Sequence, residues 1–141
     1  MGVPIVEALL TNKTFKVTIL SRLESTATFP SGIEVKKVDF TSQHALVRAL
    51  ESQHAVICIL NDLAGGVQFQ LIEAAVEAGV KRFIPSEWGS SDIVASVPEL
   101  ENSFEERSKI IELLERKAKE ATVAGKEFHW SAVNCGVFMD W

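Results

Sequence analysis

The chain has 141 residues, 47% of them hydrophobic, and a formal net charge of −5; this suits one domain with a real core and excludes a disordered chain. An acidic balance without a basic stripe speaks against a nucleic-acid surface, and no apolar run reaches membrane-spanning length. Met1 leads into a helical pattern rather than a charged leader, so the expected location is cytoplasmic, and Cys58 and Cys135 lack the spacing of a disulfide scaffold or a metal site.

Val3–Leu10 (VPIVEALL) predicts a helix, with Pro4 in the tolerated first turn. Lys16–Leu20 (KVTIL) is β-branched and apolar and predicts a strand, followed directly by Ser21 and Arg22. Leu23–Gly32 lacks a helical stripe and reads as a loop. Glu34–Val38 (EVKKV) predicts a short strand, and Asp39, Phe40 and Thr41 leave its end. Thr41 or Ser42 caps the next helix, whose apolar face is Ala45, Leu46, Ala49 and Leu50. His44 and His54 are isolated and read as surface histidines.

Ala55–Leu60 (AVICIL) is apolar throughout, as a central strand covered on both faces would be. A loop of Asn61, Asp62, Leu63, Ala64, Gly65 and Gly66 follows, then a helix over Val67–Ala78. Gly79 suits the left-handed residue that closes this helix. A strand over Val80–Pro85 comes next, and the chain then breaks into Ser86, Glu87, Trp88 and Gly89. Ser90–Asn102 is a long polar connection containing Pro98, read as a binding loop or lid. Ser103 and Glu106 form a capping box for a helix to about Ala121, with Ile110, Ile111, Leu114, Ala118 and Ala121 inward. Glu105–Lys109, Glu112–Arg116 and Glu115–Lys119 are opposite charges four apart. Arg107 lies over the inward face, so it must emerge near a cleft, find a partner or snorkel to water. Glu127–Val133 (EFHWSAV) predicts the last strand. Strands separated by helices or loops define a doubly wound α/β domain spanning residues 1–141, in which ligands bind beyond the carboxyl ends of the strands.

The segment Gly79-Val80-Lys81-Arg82-Phe83-Ile84-Pro85-Ser86-Glu87-Trp88-Gly89 resembles that of the NmrA-like and isoflavone-reductase-like proteins, which are atypical short-chain dehydrogenases/reductases. The resemblance implies a Rossmann-like parallel sheet and NADP(H) as cofactor. It also implies hydride transfer from NADPH to a small organic substrate, such as a phenolic or other conjugated molecule. In that family a strand and a G-x-x-G-x-x-G turn precede the first helix. Gly2 matches the last glycine, so the chain is expected to lack the first strand and most of the turn. A chain so truncated is expected to be marginally stable and to bind NADPH weakly. The missing strand would lie between Lys16–Leu20 and Ala55–Leu60, which would then pair directly or stay open.

By the same resemblance Gly2, Ser21, Arg22, Asp39, Phe40, Asn61, Pro85, Ser86 and Glu87 line the cofactor site. Arg22 leans the choice to the 2′-phosphate of NADP(H), although Glu24 lies close by; read alone it is an exposed Arg at a turn. Asp39 and Phe40 approach the adenine, or Asp39 simply serves the turn before a helix. Phe104-Glu105-Glu106-Arg107-Ser108-Lys109-Ile110 aligns Arg107 with the family's catalytic Lys. Arg is a poor proton donor, and Lys109 is turned about 200° away around the helix. The chain contains no Tyr, so it cannot supply a Tyr-x-x-x-Lys site. Two rival readings follow: a non-catalytic NADP(H) sensor acting on partner proteins, and a plain α/β interaction module without nucleotide.

Overall fold

A computed structural model describes residues 2–60, 65–89 and 101–135, with the backbone alone at Gly65 and residues 101–106. The order is α1 (Gly2–Thr11), β1 (Thr18–Arg22), β2 (Glu34–Val38), α2 (Gln43–Leu50), β3 (Ala55–Ile57), α3 (Gly65–Glu77), β4 (Arg82–Ile84), α4 (Glu101–Val123) and β5 (His129–Trp130). Every strand pairing is parallel, as crossovers by helix or loop require.

The strands form two sheets, β1–β2 and β3–β4–β5. Among the described residues no ladder joins β1 to β3, so the direct pairing of these two strands is not seen. In the first sheet Thr18 is opposite Glu34 and Arg22 opposite Val38. In the second, Phe83 is opposite both Val56 and Trp130, which makes β4 the central strand.

Gly79 closes α3 with φ 77°. Its amide donates to Val76 O at 3.2 Å, and that of Val80 donates to Ala75 O at 2.9 Å. The paired bonds satisfy helix carbonyls that otherwise have no partner, and the left-handed turn aims the chain into β4. Ser42 caps α2 by accepting from the Ala45 amide at 3.3 Å. The core gathers Leu46, Ala49 and Leu50 of α2, Leu71, Ile72, Ala74 and Ala75 of α3, Ile110, Leu113, Leu114 and Ala121 of α4, and Phe83 and Phe128. Phe83 and Phe128 pack with ring centroids 6.5 Å apart.

Several boundaries move. Ser21 and Arg22 are the last two rungs of β1 rather than residues beyond it. Gly65 and Gly66 open α3 instead of belonging to the loop. Helix α4 starts at Glu101, so Ser103 lies inside it and is not its cap; an acidic residue in a first turn suits the helix dipole. Strand β3 is not covered on both faces: Ala55 is exposed, and of its apolar run Cys58 alone is fully buried. Among the described residues its ladder partner is on the β4 side, where the Cys58 amide donates to Ile84 O at 2.8 Å. Ion pairs on α4 include Arg116 to Glu120 at 3.9 Å and Lys117 to both Glu73 at 2.6 Å and Glu120 at 3.6 Å. Asn61 and the lid expected from Ser90 to residue 100 lie outside the described residues.

Candidate active site

The site is built at the carboxyl ends of β3 and β4. Pro85 ends the ladder of β4, because it carries no backbone donor, and it is fully buried. Beyond it several polar groups of the turn find partners within the protein. The Ser86 hydroxyl donates to Leu60 O and accepts from the Leu60 amide, both at 2.9 Å, and so ties the ends of β3 and β4 together. The Ser86 amide donates to Gln68 Oε1 at 2.5 Å. Trp88 Nε1 donates to Cys58 O at 3.0 Å, and the Cys135 amide donates to Trp88 O at 2.9 Å. Asn134, with its amide nitrogen turned to the loop, donates to Gly89 O at 3.1 Å and Glu87 O at 3.2 Å.

Arg107 has the partner its position demands. Its Nε donates to Glu87 Oε2 at 2.5 Å, with side-chain exposures of 28% for Arg107 and 8% for Glu87. Gln68 Nε2 reaches the other carboxylate oxygen at 3.5 Å. A buried carboxylate needs such compensation, because burial penalises its charged form. The pair has a chemical consequence. An Arg already countered by a carboxylate does not shuttle protons, and its charge is largely spent on Glu87.

Two further signals sit beside this cluster. Burial pushes the Cys58 thiol up to about 12, so it stays protonated. Gly2 lies against the carboxyl end of β3: a Cβ on it would be 3.8 Å from Ile59 Cγ2. The start of α1 is therefore at the same sheet edge as the Ser86 turn. It carries no acidic residue in its first turn, so its own first turn adds no negative charge to the helix's amide end.

The remaining expected residues form a second group, at the ends of β1 and β2. Ser21 is buried and Arg22 points to solvent, as alternation along a strand requires. Asp39 Oδ1 accepts from the Thr41 amide at 2.9 Å and the Thr41 hydroxyl at 2.6 Å. These two bonds hold its carboxyl below the usual range. Asp39 thus builds the turn before α2. Phe40 packs half-buried against the core. Sequence reasoning placed Ser86, Glu87 and Arg107 in the site but did not connect them, and it missed Gln68 and Asn134. Gln68 did carry a signal: it stands at helical spacing with Leu71, Ile72 and Ala75, and a polar group on a core face must be bonded.

The donor set fits a dinucleotide at these strand ends. Arg22 is an exposed fork of donors, and α1 presents its amide end where a pyrophosphate is favoured. No group of three or more His, Cys, Asp or Glu residues among the described residues could hold a metal ion. No described helix is long and apolar enough to cross a membrane.

Fold and site together define an α/β architecture with parallel strands and a polar cluster at their carboxyl ends, and comparison with known proteins gives the family. Residues 1–140 match the NmrA-like family, and the chain belongs to it. It is 35% identical over 140 residues to the oxidoreductase poxI of Penicillium oxalicum, covering 99% of this chain and 43% of that protein. The chain thus spans less than half the length of this curated relative. Among solved structures it is similar to an isoflavone reductase, with TM-score 0.73 and 26% identity over 97% of this chain and 46% of the other. It also shares the fold of AtPrR2, solved with NADP+ and (+)pinoresinol, with TM-score 0.71 and 24% identity over 83% of this chain and 43% of that one.

Proposed function

We propose that this chain is the NADP(H)-binding part of an oxidoreductase that reduces a small organic substrate. The observation that carries the reading is the position of Gly2, which puts the amide end of α1 against the carboxyl end of β3, beside the Ser86 turn. The likeness to the oxidoreductase poxI and to a reductase fold solved with NADP+ supports it. When bound, the nicotinamide supplies the hydride. The chain's own residues hold and orient. Gly2 and the first turn of α1 would receive the pyrophosphate, and Arg22 the 2′-phosphate. The Pro85–Gly89 turn forms a fixed floor at the end of β4. Glu87 holds Arg107 in charge balance, so the proton for the substrate comes from elsewhere.

Arg22→Ala tests the reading. A charge-assisted bond to phosphate is worth about 1.5–3 kcal/mol, roughly 10- to 150-fold in affinity. NADPH binding should fall by that factor and NADH binding hardly at all. Equal loss for both nucleotides would remove Arg22 from the phosphate site.

One observation favours the non-catalytic reading, an NADP(H) sensor acting on partner proteins. Where the family's reductases place a Lys, this chain places an Arg that is already bound to Glu87. Substrate-dependent NADPH oxidation separates the two readings, and Arg107→Lys should raise turnover only in the first.

A further inference from the structure

Gly89 is not explained by its backbone, since its φ lies outside the left-handed region that favours glycine. What a side chain would meet is Arg107. A Cβ at position 89 would stand 3.0 Å from Arg107 Nη2, 3.5 Å from Nη1 and 3.6 Å from Cζ. The guanidinium therefore lies over the bare Cα of Gly89. An Arg head group can ordinarily swing aside, but this one is fixed through Nε to Glu87, which is buried and held in turn by Gln68. Retreat from a Cβ would stretch that bond. Asn134 closes the turn from the opposite side by bonding the carbonyls of both Glu87 and Gly89.

We propose that Arg107 is a positioning residue. Countered by Glu87 and seated on Gly89, it clamps the Pro85–Gly89 turn to α4 and fixes the end of β4 that faces the dinucleotide. This rests on the nucleotide reading above for its consequence, but the clamp is testable without it. Glu87, Gly89 and Arg107 then behave as one unit, and the penalty for a methyl group at position 89 depends on the ion pair.

The experiment is a cycle of variants read by thermal melting and by NADPH titration. Gly89→Ala is made in the natural sequence and in a neutral background, Glu87→Gln with Arg107→Met, which removes both charges together and so leaves neither buried alone. In the natural sequence the Ala should lower Tm by about 4 °C and weaken NADPH about tenfold. In the neutral background it should change Tm by less than about 1 °C and NADPH affinity by less than about twofold. Equal penalties in both backgrounds, or none in either, would overturn the clamp. The Arg107 Nε–H resonance gives a second readout. It should be protected from exchange in the natural protein and lose protection in Gly89→Ala; unchanged protection would contradict the proposal. If the natural protein binds no NADPH, the nucleotide reading fails, while Tm and the Nε–H signal still decide the clamp.

Discussion

The two sheets of this molecule are built from similar strands and packed very differently. β1–β2 has the longer ladder, five rungs from Thr18–Glu34 to Arg22–Val38. Yet helix α1, which precedes it, buries no residue, and Val3 and Leu10 are 65% and 40% exposed. The β3–β4–β5 sheet has only two or three rungs per pair. It is nevertheless backed by α3 and α4, and Phe83, Ile72, Leu114 and Val80 are fully buried around it. Ladder length is thus a poor guide to where stability lies. Apolar area removed from water counts for more, at about 25 cal/mol per Å². The turn with the most bonded polar groups grows from the well-packed sheet, where a rigid support exists for it. The exposed Arg22 stands on the thinner one.

Substitutions can break this contrast. The largest effect is expected at Phe83, fully buried in the central strand. Phe83→Ala should cost about 3–5 kcal/mol in urea unfolding, whereas Leu10→Ser on α1 should stay within about 0.5 kcal/mol. Comparable losses at the two positions would mean that α1 is packed after all. Next comes Arg107→Ala, which strands the Glu87 carboxylate. A wholly buried pair would lose about 3–5 kcal/mol; with Arg107 still 28% exposed, about 2–3 kcal/mol is expected. A loss under about 0.5 kcal/mol would show that water already satisfies Glu87.

The smallest perturbation sharpens the contrast without a mutation. Cys135 is exposed, whereas Cys58 is buried at the end of β3 with its thiol pushed up to about 12. A thiol reagent near pH 8 should modify Cys135 promptly. Cys58 should react only as fast as the β3–β4–β5 sheet opens, and freely in denaturant. Rapid modification of both in the native protein would contradict the burial of Cys58.

Much of this was legible in the sequence, for identifiable reasons. The Gly79 helix stop, the Ser42 cap and the Glu34–Val38 strand rest on local geometry, which a few residues determine. The inward face of α4 followed from the spacing of Ile110, Leu114 and Ala121. What local pattern could not show was contact between distant segments. Ser86 bonds Leu60, 26 residues away, and Glu87 bonds Arg107, 20 residues away. The extent of β3 was misjudged for a related reason. An apolar run shows what a strand could bury, not whether a neighbour is present on each side. Asp39 and Phe40 were legible as residues at a strand end, but the Thr41 bonds that occupy Asp39 depend on the turn the chain then makes.

Amide hydrogen exchange with and without NADPH tests the central claim most directly, because it reads both sheets and the nucleotide site together. Without nucleotide, the amides of Phe83, Ile72 and Leu114 should exchange only through global opening, and those of α1 and β1 much faster. Saturating NADPH should slow exchange in α1 near Gly2 and at the Arg22 end of β1, with little change at Phe83. Uniform protection without nucleotide would contradict the two-sheet contrast, and unchanged α1 and β1 with NADPH would contradict the assignment of the site.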